Sequence, residues 1–209
     1  MKKACLVLLM IAAFLLFASA RAQVSSAAEE LIPSNRAKTS AEGTLPLSET
    51  KKILVAYFSR TGHSREIADQ IHKSVGGDVF EIQVVEPYPE DYEAVKKRAM
   101  QEQTSGYKPA LKTRINNIGS YDLVFLGYPI WWGTIPAPIR TFLSEYDFSG
   151  KTIVPFCTHQ GSGLGRSVAD ISRLCPRSAL LDGIAIWGRD AITAQDKISD
   201  WVRDIKVAK

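Results

Sequence analysis

From residue 53 onward, short apolar runs alternate with stretches whose apolar residues recur every three to four positions. The first run, Ile53-Leu54-Val55-Ala56-Tyr57-Phe58, is followed by Ile67, Ala68, Ile71 and Val75 at helical spacing. "DVFEIQV" (78–84) alternates apolar and polar like a strand covered on one side, whereas "DLVFLGY" (122–128) is continuously apolar, as a central strand is. Pro136 opens a helix carrying Ile139, Phe142, Leu143 and Tyr146; proline suits a first turn because its missing N–H would have no partner there. "KTIVPFCT" (151–158), a helix marked by Leu164, Val168, Ile171 and Leu174, "LLDGIAI" (180–186), and a last helix with Ile198, Trp201, Val202 and Ile205 complete the series. Five strand–helix units in series predict an α/β domain, a doubly wound five-stranded parallel sheet. Residues 85–121 interrupt the rhythm: Tyr92, Val95, Ala99 and Met100 suggest a helix, but the connection is longer than usual, and such connections are commonly functional or mobile.

In a parallel sheet the loops after the first, third and fourth strands open on one edge, where ligands bind in such folds. The first of them, Ser59-Arg60-Thr61-Gly62-His63-Ser64, offers three hydroxyls, a glycine that permits close backbone approach, and the start of a helix. That is a neutral cradle for a phosphate, because a helix N-terminus presents unpaired N–H groups to an anion. The same residues also suit an ordinary turn with Ser64 as helix cap.

The second loop, "GYPIWWGTIPAP" (127–138), sets Trp131 and Trp132 beside Gly133 just after a strand. Adjacent tryptophans in a proline-punctuated loop read as a stacking surface rather than as core. The third loop, "CTHQGSGLGRS" (157–167), carries glycines and small donors through Thr158, His159, Gly161, Ser162 and Gly163, a composition that lets backbone amides approach the edge of a flat polar ring.

The N-terminal residues belong to a different category. Lys2-Lys3, the apolar run Leu6–Phe17 and Ala20-Arg21-Ala22 form the pattern of a cleaved secretory leader over residues 1–22, and the expected location is exported, periplasmic or secreted. A membrane tether would require the leader to stay uncleaved. Residues 23–50, rich in Ser, Ala, Thr and Glu without apolar period, read as a flexible linker, leaving 51–209 as a single domain. Lys and Arg number 26 against 22 Asp and Glu; Lys2, Lys3 and Arg21 lie in the leader, so the remainder is within about one charge of neutral, and nothing points to a nucleic-acid partner. Once the leader is removed, Cys157 and Cys175 remain, expected as buried free thiols in preference to a disulfide.

A phosphate cradle, an aromatic clamp and a row of backbone donors on one sheet edge suit a phosphorylated planar heterocycle. With those residues in view, the chain resembles the flavodoxin family over 52–207. Ser59–Ser64 is similar to the family's T/S-x-T-G-x-T/S phosphate loop, although His63 stands where asparagine is commonest. Gly127–Trp131 resembles the flavin-flanking loop, and "FCTHQGSGLG" the third loop as it occurs in a branch with a G-x-P-x-W-W second loop. The resemblance implies a flavodoxin-like sheet of strand order 2-1-3-4-5 and noncovalent FMN, with electron transfer or flavin-dependent reduction as the activity. It further implies that Ser59, Arg60, Thr61, Gly62, His63 and Ser64 surround the phosphate, that Pro129, Ile130, Trp131, Trp132 and Gly133 flank the ring, and that the 158–163 backbone meets its pyrimidine edge. The electron partner, a protein or a small-molecule acceptor, stays open. So do a nicotinamide-dependent quinone or flavin oxidoreductase and an exported flavin-binding protein without redox partners.

In the family, glycine directly after the flanking ring eases a peptide flip on one-electron reduction. If Trp131 is that ring, Trp132 follows, and a left-handed backbone at a residue with a Cβ costs about 1–2 kcal/mol; this would favour two-electron chemistry. If Trp132 is the ring, Gly133 follows and the flip is restored. His63 and His159 are candidate proton donors, since imidazole titrates near neutrality. Other chemistries fit less well: position 163, where a cysteine phosphatase built on Cys157 needs arginine, is Gly, and neither a G-x-S-x-G elbow nor a Gly-Lys-Ser/Thr loop is present.

Overall fold

The computed structural model describes residues 51–205; the predicted leader (1–22) and linker (23–50) lie outside the described residues. Six strands and five helices follow one another as β1 (Ile53–Tyr57), α1 (His63–Val75), β2 (Asp78–Glu81), α2 (Tyr92–Ser105), β3 (Leu123–Pro129), α3 (Ala137–Glu145), β4 (Thr152–His159), α4 (Ser167–Leu174), β5 (Ala179–Leu180), β6 (Ile184–Trp187) and α5 (Gln195–Asp204). The sheet is parallel throughout, in the order β2-β1-β3-β4-β5, with β6 continuing alongside β4. This is the doubly wound arrangement expected from the alternation.

Period-two alternation within each strand divides the core between the two faces. Leu54, Ala56 and Phe58 join Val124, Leu126 and Tyr128 beneath Ile139, Phe142 and Ile171 of α3 and α4. Val55, Tyr57, Leu123 and Phe125 face Ile67, Ala68, Ile71 and Ile198 of α1 and α5. With both faces covered, the central strands must be apolar throughout, which is why 122–128 reads as a continuous run.

The fifth strand is in two pieces. Leu181 N–H reaches Ile153 O at 3.1 Å; two residues further along β4 the N–H that should face this edge belongs to Pro155, which has none. The chain bulges through Asp182-Gly183 and resumes pairing at Phe156↔Ile184. Strand two is shorter than expected: Ile82 N–H makes a last bond to Tyr57 O of β1 at 2.7 Å, the chain then leaves β1, and 83–85 pair antiparallel with 110–112 through Val84↔Leu111, Val85 N–H to Ala110 O (2.9 Å) and Lys112 N–H to Gln83 O (2.7 Å). The long 85–121 connection is therefore an ordered excursion that carries α2, begun by Asp91 accepting from Ala94 N–H at 2.7 Å. Within α2, Val95 and Ala99 are buried as expected, but Tyr92 and Met100 face outward. Cys157 and Cys175 are buried free thiols.

Candidate functional site

The three loops meet at the carboxyl edge of the sheet around a cleft of about 300 Å³. Gly62, with φ +87°, turns the chain from β1 into α1 and occupies the cap position, and no side chain caps the helix. Glu66 N–H donates to Gly62 O at 2.9 Å, while the amides of the preceding turn have no side-chain acceptor among the described residues. The helix start is thus open to an anion. Ser64 is not the cap: it is buried, and its hydroxyl lies 2.9 Å from that of Thr158, joining the first loop to the end of β4.

Arg60 borders the cleft, but its guanidinium donates to Pro89 O at 3.3 Å and to Glu90 O, fastening the first loop to the segment after β2. Arg65 pairs with Glu81 at 2.6 Å. The cradle's resources are therefore backbone amides, the hydroxyls of Ser59 and Thr61, and His63, whose Nδ1 lies 3.4 Å from Thr61 Oγ1. Gly188, beyond β6, closes the flank so tightly that a Cβ there would stand 3.0 Å from His63 Nδ1.

On the second loop, Trp131 and Thr134 exchange backbone hydrogen bonds of 3.0 and 3.1 Å around a two-residue turn whose corners, Trp132 (φ +51°) and Gly133 (φ +77°), are both left-handed. Two left-handed corners are what a type I′ hairpin demands. The conformation expected to be costly at Trp132 is the one it already holds, so the inference toward two-electron chemistry drawn from that cost falls away. Trp131 is half-buried, edge-on to Phe58 and Tyr88 with centroids 5.5 and 4.8 Å apart. Trp132 is 42% exposed, and its Nε1–H donates to Lys96 O on α2 at 3.1 Å. Behind Trp131, the Tyr88 hydroxyl donates to the buried carboxylate of Glu102 at 2.6 Å, and Arg98 holds the same carboxylate at 2.9 Å. Burial and this carboxylate push the Tyr88 phenol well above its ordinary range.

In the third loop, His159 Nδ1 accepts the Gly161 N–H at 2.9 Å, which leaves its ring proton on Nε2. Burial, with the charge of Lys197 adding to it, lowers its pKa below the ordinary 6.5, so the ring is neutral at pH 7. Cys157 at the end of β4 is fully buried, and burial pushes its thiol up to about 12, the opposite of the accessible, low-pKa thiolate that a cysteine nucleophile needs. The second and third loops touch through their backbones: Arg166 N–H donates to Gly133 O at 2.9 Å over the left-handed Gly165.

Of the residues expected at the site, Ser59, Arg60, Thr61, His63, Ser64, Pro129, Ile130, Trp131, Trp132, Gly133, Thr158, His159 and Ser162 border the cleft. Gly62, Gly161 and Gly163 do not; they shape its loops through left-handed backbone. Tyr92, Val95 and Gly188 border it unforeseen, and Gln160, within the 158–163 stretch expected at the ring edge, borders it too. Gln160 sits inside the loop already singled out, whereas Tyr92, Val95 and Gly188 arrive from segments whose sequence carries no sign of the edge they reach. Among the described residues, no group of His, Cys, Asp and Glu is placed to hold a metal, and no helix is long and apolar enough to cross a membrane.

Comparison with known proteins agrees with this geometry. The family model described as Flavodoxin matches residues 52–205. The crystal structure of a candidate flavoprotein from Bacteroides eggerthii is 36% identical, with 76% of this chain and 99% of that chain covered and a TM-score of 0.68. A second, from Bacteroides uniformis, is 30% identical, covering 74% and 99% with a TM-score of 0.67. A Lactobacillus acidophilus flavoprotein solved in complex with FMN shares the fold at 22% identity, covering 71% and 99% with a TM-score of 0.58. No protein of curated function matches. The sheet order, the open helix start facing two tryptophans, and a family match that spans the domain together place this chain in the flavodoxin family.

Proposed function

We propose that the chain binds FMN noncovalently and serves as a flavin-dependent redox protein, passing electrons to a protein partner or a small-molecule acceptor. The observation that carries this is the uncapped, left-handed start of α1 opening into the same cleft as Trp131, Trp132 and the third loop. The residues fit the cofactor. The free amides at the head of α1, with Ser59 and Thr61, would hold the phosphate; the tryptophan pair would cover the ring; and the amides around His159–Ser162 would meet its polar edge. Among the described residues, both arginines at the cradle are engaged elsewhere, Arg60 by backbone carbonyls and Arg65 by Glu81, so amides and hydroxyls would carry the phosphate's charge, which suits a helix N-terminus.

When bound, FMN supplies a ring that takes up and returns one or two electrons with protons. The protein orients that ring between two loops whose backbones are locked together at Gly133 and Arg166, and keeps a neutral imidazole, His159, at its margin. The near-neutral charge, unlike that of acidic carriers, gives little long-range steering toward a basic partner, which favours a small acceptor. The leader pattern supports export, with FMN acquired outside the cytoplasm if the chain crosses unfolded. The test is to load the purified chain with FMN, record its visible spectrum, and add NADH or NADPH anaerobically. A flavin spectrum on the protein is expected, and bleaching by the nicotinamide marks a reductase. A chain that retains no flavin overturns the proposal.

A further inference from the structure

Beside the cofactor cleft lies a second hollow of about 230 Å³ between α2 and the Trp131–Gly133 turn. Tyr92, Val95, Lys96 and Ala99 form one wall, and Trp131 and Trp132 stand opposite. Tyr92, Val95 and both tryptophans border the cleft as well, so the two spaces share a wall. An occupant of the hollow would lie next to whatever ring the cleft holds.

The wall is built, at a cost, to stay where it is. Trp132 is a bulky residue in the left-handed region, which is uncommon away from glycine, and it is 42% exposed. It is held there by the turn's backbone hydrogen bonds and by its indole N–H on Lys96 O. Strain of this kind gathers at ligand clamps. Tyr92, 59% exposed at the first position of α2, supplies a second aromatic face.

Size and chemistry select the occupant. The hollow falls short of the ~300–1,000 Å³ usual for drug-sized ligands, so it suits one or two fused rings rather than a dinucleotide. Its walls are aromatic and aliphatic. The one cation, Lys96, has its ammonium 3.3 Å from the exposed Glu93 carboxylate, a surface pair that gives way readily. We propose that this hollow is a subsite for planar aromatic carbonyl compounds of the naphthoquinone class, their rings between Tyr92 and the tryptophans and any anionic substituent toward Lys96. This rests on FMN in the adjoining cleft, and it names the small-molecule partner of that same site.

The test uses the full chain loaded with oxidised FMN, titrated with 1,4-naphthoquinone-2-sulfonate and followed by calorimetry and tryptophan fluorescence. Saturable binding is expected. Ala99→Leu, which fills the hollow without bordering the cofactor cleft, should weaken the probe on the order of tenfold, equivalent to about 1.4 kcal/mol, and leave FMN affinity unchanged. Lys96→Glu should weaken the sulfonate but not unsubstituted 1,4-naphthoquinone, and because Lys96 is on the surface it decides the matter even if Ala99→Leu does not fold. Probe binding indifferent to both changes overturns the subsite. So does a parallel loss of FMN affinity in Ala99→Leu, which would make the hollow part of the cofactor's own site. A chain that fails to load FMN refutes the cofactor reading instead, whereas a loaded chain that ignores the probe refutes the subsite alone.

Discussion

Replacing Gly165 by alanine should pry apart the two loops that enclose the cleft. A Cβ at Gly165 would lie 2.3 Å from Gly133 O and 3.0 Å from its carbonyl carbon, and both are backbone atoms with no flexible end to swing aside. Relief requires the loops to separate, which breaks the 2.9 Å hydrogen bond from Arg166 N–H to the same carbonyl. The left-handed backbone adds about 1–2 kcal/mol for a residue with a Cβ, and the lost hydrogen bond about 0.5–1.5 kcal/mol. At about 2–4 °C per kcal/mol for a domain of this size, the combined loss of roughly 2–3 kcal/mol lowers the melting temperature by roughly 5–10 °C. Gly163→Ala is the control, since Gly163 is also left-handed (φ +57°) but has nothing within 4 Å of an added Cβ. It should lose only the backbone term, about 1–2 kcal/mol, and keep its FMN affinity, whereas Gly165→Ala loses affinity too. Thermal melts by circular dichroism with FMN titrations of both variants decide the matter. Equal losses in the two, or unchanged FMN affinity in Gly165→Ala, would refute the idea that this backbone contact sets the width of the cleft.

Thr61→Ala should weaken FMN about fivefold, the equivalent of a lost hydrogen bond of about 1 kcal/mol, with little change in melting temperature, because Thr61 is exposed and, among the described residues, its side chain hydrogen-bonds only to His63, at 3.4 Å. His159 titrates below its ordinary 6.5 in the folded chain, so the unfolded chain takes up the proton first. Its contribution to stability is therefore complete above pH 6.5 and is lost as the pH falls through the lower folded value. Chemical denaturation from about pH 7.5 down to about pH 5, a range that begins above the ordinary histidine value of about 6.5 and runs below it, should show this slope in the wild type and less of it in His159→Gln. Mass spectrometry of the protein from its own cells should find an N-terminus near Gln23; an intact Met1 in a membrane fraction would show a tether instead.

Much of the fold was legible because its signals are local. Strands buried on both faces must be continuously apolar, and the runs at 53–58, 123–128 and 153–157 are. The loops of the site were legible too, since hydroxyls before a helix, paired tryptophans after a strand and clustered glycines each have a local chemical meaning. What escaped depends on neighbours distant in sequence. The break between β5 and β6 is dictated by Pro155, on the strand next door. Ser64 has the right chemistry for a cap, but Gly62 takes that position and Thr158 claims the Ser64 hydroxyl. Arg60 stands in the phosphate loop, yet the carbonyls of Pro89 and Glu90 hold its guanidinium. Tyr92 looked like a core position from its spacing and proved to be a wall of the cleft, because α2 meets the second loop only in three dimensions.

The central claim, that the head of α1 is a phosphate site within a flavin cleft, is tested most directly by comparing FMN with riboflavin, which differs only by the phosphate. Equilibrium titration of the flavin-free chain, read by quenching of flavin fluorescence, gives both dissociation constants under one set of conditions. Amide bonds to a charged phosphate contribute about 1.5–3 kcal/mol each, so even one net bond of about 2.8 kcal/mol predicts FMN tighter by roughly 100-fold. Equal affinity for the two flavins would contradict it.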